Sequence, residues 1–318
     1  VAEEEVQLHR LPAYSLLNLF ALILTVGLLG GHGLLGMAYA YAAGLCALAA
    51  LLFAAAAYVL APEARSESSG FRREALTLLL PAVNALMFIA LFSSAGGGYF
   101  YWVTIVMSVA LMLLYKPPKM PKPDIKWGVL GGVAMFIAAI LLTSLLAVAG
   151  LAAPTEGVLL AWTPLSLDAA GQGIEAQLYA IQAFLIVALG EELWARLTLG
   201  YGGTAVAGPR TAWFWAAFWF LFMHTPGRLR YGMLAPVIIA LLGTVMLVFT
   251  FFFRRNPSVW TGVTMHAVYN TLLAGLYYGT LLLELAVLAV LLYALSKVTE
   301  AKVVIKLPRR LEEVVPSG

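Results

Sequence analysis

The chain has 318 residues, of which 62% are hydrophobic and only 11% charged, with a formal net charge of +3. A soluble globular chain averages about 25% charged residues. Two water-soluble domains, the reading that length alone favours, are therefore excluded, as is disorder, which needs low hydrophobicity and high net charge.

What remains is an all-α, polytopic transmembrane helical bundle. A membrane helix needs about 20 mostly apolar residues, and ten candidate spans follow in chain order. They cover 13–30, 37–60, 76–93, 99–115, 127–151, 176–199, 211–224, 232–253, 258–278 and 281–296. The seventh is short, and only Gly279 and Thr280 separate the last two, so the count is eight to ten. The runs do not alternate, which argues against a β-barrel. Ser93-Ser94-Ala95-Gly96-Gly97-Gly98 forms a loop, and the proline-rich run from Lys116 to Pro123 cannot be helical. The first span has an acidic flank (Glu3, Glu4, Glu5), unlike a cleaved signal. Cys46, the single cysteine, excludes an intrachain disulfide and reads as a small buried hydrophobe.

With the N-terminus inside, the inner loops receive sixteen of the nineteen basic residues. These are Arg10, Arg65, Arg72, Arg73, Lys116, Lys119, Lys122, Lys126, Arg210, Arg254, Arg255, Lys297, Lys302, Lys306, Arg309 and Arg310. The outer loops receive Arg228 and Arg230, and Arg196 lies within a span. The positive-inside rule thus puts both termini inside. The tail beyond Lys297 reads as solvated rather than lying along the membrane.

Few ionisable groups fall deep in the spans, where each is expensive and a functional candidate by default. The sixth span carries Glu191, Glu192 and Arg196, the seventh ends in Phe220-Leu221-Phe222-Met223-His224, and the ninth holds His266 and Asn270. Residues four apart share a helix face, so Glu192 pairs with Arg196, and His266 lies beside Asn270. Glu191 is rotated about 100° from Glu192 and is left to face a cavity. Glu191 and His266 each lie about eight residues from the inner end of their spans, roughly 12 Å deep at 1.5 Å per residue. His9 and His32 read as solvent-exposed and Glu284 as interfacial. Asn84, Gln177 and Gln182 either line the cavity or bridge helices. The aromatic run Trp213–Phe220 reads as a lipid-facing surface rather than a wall for a prenyl chain, and Trp162 as an interface anchor.

EExxxR (Glu191, Glu192, Arg196), then FxxxH (Phe220, His224), then HxxxN (His266, Asn270), on successive membrane helices, resembles the signature of the CPBP family. These are the CAAX prenyl endopeptidases of the Ras-converting type together with the bacterial and archaeal Abi proteins. The resemblance covers about residues 176–278. It implies an intramembrane, glutamate-dependent endopeptidase. Glu191, helped by His224, would activate water; His266 and Asn270 would stabilise the oxyanion; Glu192 and Arg196 would hold the site together. On this reading 1–151 is an N-terminal five-helix membrane region, 152–175 an outer loop, 176–278 the catalytic core, and 279–318 the last span and a cytoplasmic tail.

The chemistry agrees: peptide hydrolysis needs an activated water, an oxyanion donor and a proton for the leaving amine. The inward-biased depth suits a peptide or lipidated peptide entering from the cytoplasmic side, such as a prenylated CAAX-type tail. No cofactor and no nucleic-acid partner are expected; membrane lipids are. Three alternatives stand beside this reading. Glu191, His224 and His266 could bind zinc with an open position for water. The cluster could be a proton or ion relay in a transporter, or the core of an inactive scaffold or immunity protein.

Overall fold

The computed structural model of the chain describes residues 2–31, 38–92, 97–120, 122–148, 183–224, 235–247, 258–278 and 281–300. Within them helix follows helix: α1 (Ala2–Gly31), α2 (Ala38–Leu60), α3 (Gly70–Phe92), α4 (Gly97–Leu111) and α5 (Ile125–Val148). Next comes α6, wound in three consecutive stretches, Ala183–Ala188, Leu189–Glu192 and Leu193–Gly202. It is followed by α7 (Gly203–His224), α8 (Ala235–Leu247), α9 (Val259–Tyr278) and α10 (Leu281–Glu300). No β-strand occurs among the described residues. The 152–175 loop, Gln177, Gln182, His32, Trp162, Arg228, Arg230, Arg254, Arg255 and the tail beyond Glu300 lie outside them.

The helix ends follow from local chemistry. α2 stops two residues before Pro62, since a proline disfavours helical geometry in the residue before it. α4 begins at Gly97, so the last two glycines of the expected Ser93–Gly98 loop are helical; it tightens into a 3₁₀ turn at Met112–Leu114, and Tyr115 is extended just before Lys116-Pro117-Pro118. The Asp124 carboxylate caps α5 by accepting from the Trp127 amide at 2.9 Å. Pro81 sits inside α3, tolerable where neighbouring helices cover the lost bond. Gly208 has φ +74° and ψ 167° and precedes Pro209, so it breaks α7 into two pieces. Residues 203–207 therefore continue α6, and the seventh span proper begins after the break. The sixth helix thus runs past its expected end at 199.

Two kinds of helix result. α6, α7 and α9 are buried along most of their length. The surrounding helices turn large apolar side chains outward: Leu16 and Phe20 on α1, Val59 on α2, Leu86 on α3, Val106 on α4, Leu145 on α5 and Val290 on α10. A water-soluble protein rarely exposes so continuous an apolar surface; it suits hydrocarbon. Among the described residues one helix is both long and apolar enough to cross a membrane by composition alone, α5 over Ile125–Leu142, with mean hydropathy 2.1. Shorter apolar stretches lie at Ala13–Gly27, Gly44–Leu60, Tyr101–Leu114, Pro236–Leu247 and Leu285–Lys297. Glu191, Glu192 and Arg196 lower the hydropathy of α6, the central helix that carries the polar cluster.

The aromatic run on α7 corrects the expectation of a lipid-facing belt. Trp213, Phe218, Trp219 and Phe220 are buried, and Phe214 and Trp215 are half-buried. The first helices account for this. Trp219 Nε1 donates to Asn18 Oδ1 at 2.7 Å, and Asn18 Nδ2 donates to the Tyr14 carbonyl at 2.9 Å. Trp215 Nε1 donates to Ser15 Oγ at 3.2 Å. Phe88 of α3 stacks on Phe222, with ring centroids 5.1 Å apart. Cys46 is buried, as expected.

Below the bundle the connections clip together. Glu67 and Lys116 exchange backbone bonds of 3.1 and 2.8 Å, and Ser68 Oγ donates to the Leu114 carbonyl at 2.9 Å. The Ser66 amide donates to Thr204 Oγ1 at 2.6 Å, which ties this clip to the helix carrying Glu191.

α9 is fixed most closely by α5. A Cβ on Gly128 would lie 2.7 Å from Thr264 Cβ, and one on Gly132 would lie 2.6 Å from Val268 Cβ and 2.7 Å from the Met265 carbonyl oxygen. The α5 backbone therefore rests directly on α9. Gly132→Ala is expected to destabilise the fold by about 1–3 kcal/mol, the usual cost of overpacking, read as a lower thermal unfolding midpoint in detergent. Leu130→Ala, on the outward face of the same helix, serves as the comparison. Equal shifts for the two would mean that this contact is not tight.

Candidate active site

α6 places two adjacent carboxylates at the centre of the bundle. Glu191 and Glu192 close the four-residue α-helical stretch Leu189–Glu192, between two stretches wound as π-helix. Such winding is rare and recurs at functional sites. Glu191, Glu192 and Arg196 are all buried. One turn along α6, Arg196 Nε bonds Glu192 Oε2, the pairing expected from the spacing. A buried charge left unpaired costs several kcal/mol, so this contact makes the carboxylate tolerable there.

The other Glu192 oxygen serves a different partner. Glu192 Oε1 lies 3.2 Å from His266 Nδ1. At the far side of the same ring, His266 Nε2 lies 3.7 Å from Glu191 Oε2. The two glutamates do leave the helix in different directions, as their rotation requires. They nevertheless meet at one imidazole, each holding one of its nitrogens. Glu191 does not face an empty cavity: its Oε2 also lies 3.2 Å from His224 Nε2.

The proton positions follow from the partners. His224 Nδ1 lies 2.6 Å from the Phe220 carbonyl oxygen, which can only accept, so Nδ1 carries a hydrogen. Glu192 is already paired with Arg196 and accepts from His266 Nδ1 in the same way. Both imidazoles are thereby oriented with Nε2 towards Glu191 Oε2. Three sets of lone pairs cannot converge there without a proton among them.

Asn270 stands one turn beyond His266 on α9 and is buried, and neither its amide nitrogen nor its amide oxygen has a hydrogen-bond partner among the described residues. Buried side-chain amides are usually paired, so this one has capacity for a ligand. Glu191, Glu192, Arg196, His224 and His266 are thus brought into one connected group, with Asn270 on the adjoining turn of α9. Glu284 is helical, but its side chain lies outside the described set, as does that of His9. Asn84 is buried and its Oδ1 has no partner among the described residues. Among the described residues no group of three His, Cys, Asp or Glu side chains is arranged to hold a metal ion.

Next to the ion pair lies a small cavity of about 30 Å³. Glu192 and Arg196 form its polar side. The rest is apolar: Phe53 of α2, Ala195 of α6, Trp213, Ala216, Ala217 and Phe220 of α7, and Gly243, Met246 and Leu247 of α8. The Phe220 ring then leads to His224, with centroids 4.6 Å apart. Sequence spacing gave no signal for Phe53 or the α8 residues, because nothing in a single helix pattern says which other helix will face it. A signal for one further residue was available. Gly262 lies four residues before His266, as Asn270 lies four after, and all three fall on one face of α9.

No curated protein and no solved structure matches this chain. Residues 174–272 match the family model described as type II CAAX prenyl endopeptidase, Rce1-like, a family of membrane-embedded proteases, in keeping with the CPBP/Abi resemblance of the motifs, and all six side chains of the polar group fall inside the matched stretch.

Proposed function

We propose that the chain is an intramembrane endopeptidase that hydrolyses a peptide bond with a glutamate-activated water, close to the cytoplasmic side of a multi-pass bundle. The observation that carries this reading is the convergence of two oriented imidazoles on one oxygen of Glu191, 3.2 and 3.7 Å away. Glu191 takes a proton from water as the oxygen attacks the scissile carbonyl, and His224 steadies the carboxylate and that water. The developing oxyanion accepts from His266 and from the Asn270 amide, whose hydrogens are otherwise unused. The proton held by Glu191 then passes to the leaving amine. Glu192 and Arg196 do not react: they hold His266 at one nitrogen and keep the region electrically neutral.

The substrate class proposed is the C-terminal tail of a prenylated, CAAX-type protein or peptide. The Rce1-like match supports it, as does the mainly apolar lining of the small cavity beside the charged group. The apolar outward faces of α1–α5 and α10 support a location within the bilayer, and membrane lipids are the surrounding partners. Metal-free chemistry is proposed over a zinc site at Glu191, His224 and His266, because no HExxH motif occurs in the chain.

Purified protein in detergent or liposomes, given an internally quenched farnesylated CAAX peptide, provides the assay. Glu191→Gln is expected to abolish cleavage while leaving the unfolding midpoint within a few degrees. Asn270→Ala is expected to lower kcat about 10²–10³-fold, the usual cost of one oxyanion donor. Cleavage by folded Glu191→Gln at the original rate would remove the glutamate as the base. EDTA or phenanthroline is expected to leave the rate unchanged; loss of cleavage that zinc restores would replace the metal-free mechanism with a metal one.

A further inference from the structure

α9 lies against α6 with an ordered, antiparallel pairing. Gly262 is level with the Glu192–Arg196 ion pair, and His266, one turn on, is level with Glu192 and Glu191. At Gly262 the contact is closest. A Cβ there would lie 2.7 Å from Arg196 Nε, 2.8 Å from Glu192 Oε2 and 3.1 Å from Arg196 Cδ. All three atoms belong to the ion pair.

Neither side can yield. Glu192 and Arg196 are buried, and Glu192 is held at both oxygens, by Arg196 and by His266. α9 cannot retreat, because Gly128 and Gly132 already bring the α5 backbone onto its opposite side at Thr264, Met265 and Val268. The start of α9 is pinned as well: the Asp124 amide donates to Thr261 Oγ1 at 3.0 Å, and the Thr261 amide donates to the Ser258 carbonyl at 3.0 Å. α9 is thus clamped between a glycine-lined helix and an ion pair, and only a residue without a side chain fits where it crosses that pair.

We propose that Gly262 is a positioning residue for the active site. By letting the α9 backbone rest on the Glu192–Arg196 pair, it sets where Glu192 Oε1 meets His266 Nδ1, and so which nitrogen of His266 faces Glu191. A methyl group at 262 moves the ion pair, and with it the hydrogen bond that orients His266. The atoms it meets first all belong to Glu192 and Arg196. The kinetic part of this proposal rests on the peptidase reading; the structural part does not.

The experiment therefore reads both. The chain has four histidines, so the imidazole N–H signals of protein labelled with ¹⁵N-histidine can be assigned with single His→Gln variants. In Gly262→Ala the His266 ring N–H signal is expected to disappear or exchange rapidly, while that of His224 persists. In Gly132→Ala, which crowds α9 from the α5 side, both are expected to persist. On the farnesylated peptide, Gly262→Ala is expected to lose about 10²-fold in kcat, the scale of an ångström of misplacement, with KM changed less than about twofold. A protected His266 signal in folded Gly262→Ala would overturn the proposal whatever the peptidase assay gives. Absence of cleavage by the unaltered protein, with the signals behaving as stated, would instead count against the peptidase reading alone.

A thermal-stability cycle covers the case in which Gly262→Ala does not fold. Glu192→Ala/Arg196→Ala removes the three atoms nearest to that methyl. Adding Gly262→Ala to that background is expected to cost no further stability. A triple variant that unfolds well below the double would place the clash elsewhere and overturn the proposal.

Discussion

A guanidinium and a carboxylate buried in the middle of an apolar bundle constrain the rest of this molecule. The Glu192–Arg196 pair has almost no access to solvent, and in such surroundings desolvation rivals the attraction between the charges. The remaining hydrogen-bonding capacity of both partners must therefore be used. Glu192 spends its second oxygen on His266. That contact brings α9 against α6, and the close approach leaves no room for a side chain at Gly262. α5 must then back α9 from the other side, which it does with its own glycines. A chain of local necessities thus leads from one ion pair to the packing of three helices.

The same constraint divides the labour between two adjacent residues of identical chemistry. Glu192 is held at one oxygen by Arg196 and at the other by His266. Glu191 Oε2 faces the Nε2 atoms of two histidines, His224 and His266. Each of those histidines is anchored through Nδ1, one by the Phe220 carbonyl and one by Glu192. The mobile proton is thereby confined to the Nε2 side, next to Glu191. An arrangement that fixes every proton but one is suited to general acid–base work, because the remaining proton has a short and defined path. A structural clamp has no need of the second histidine.

Spacing alone located much of this. The i, i+4 relation predicted the Glu192–Arg196 pair, and the prolines and polar loops predicted where most helices end. Periodicity, however, assigns a residue to a face and says nothing about what that face meets. Glu191 and Glu192 were correctly expected to diverge, yet a single ring spans the divergence. The aromatic run of α7 looked like a lipid-facing belt because its composition is that of one. Its burial depends on Asn18, Ser15 and Phe88, some 130 to 200 residues earlier. The break at Gly208 has no spacing signal of its own, since Gly-Pro lies near an expected span boundary, and it moves the end of the sixth helix beyond 199.

Hydropathy explains why the central helices are the least membrane-like by composition. A helix that contacts lipid on one side needs apolar residues there, and α5 supplies them over its whole length. A helix enclosed by others is released from that requirement, and α6 and α9 use the freedom for carboxylates, imidazole, amide and hydroxyl groups. Their polarity is tolerable because α1–α5 and α10 take over the contact with the outside. The N-terminal helices carry none of the three motifs, but they are not a separate appendage. Asn18 and Phe88 grip the α7 aromatics one turn from Phe220 and His224, and Phe53 lines the cavity beside the ion pair. The motif-bearing core has its polar interior because the N-terminal helices form part of its wall.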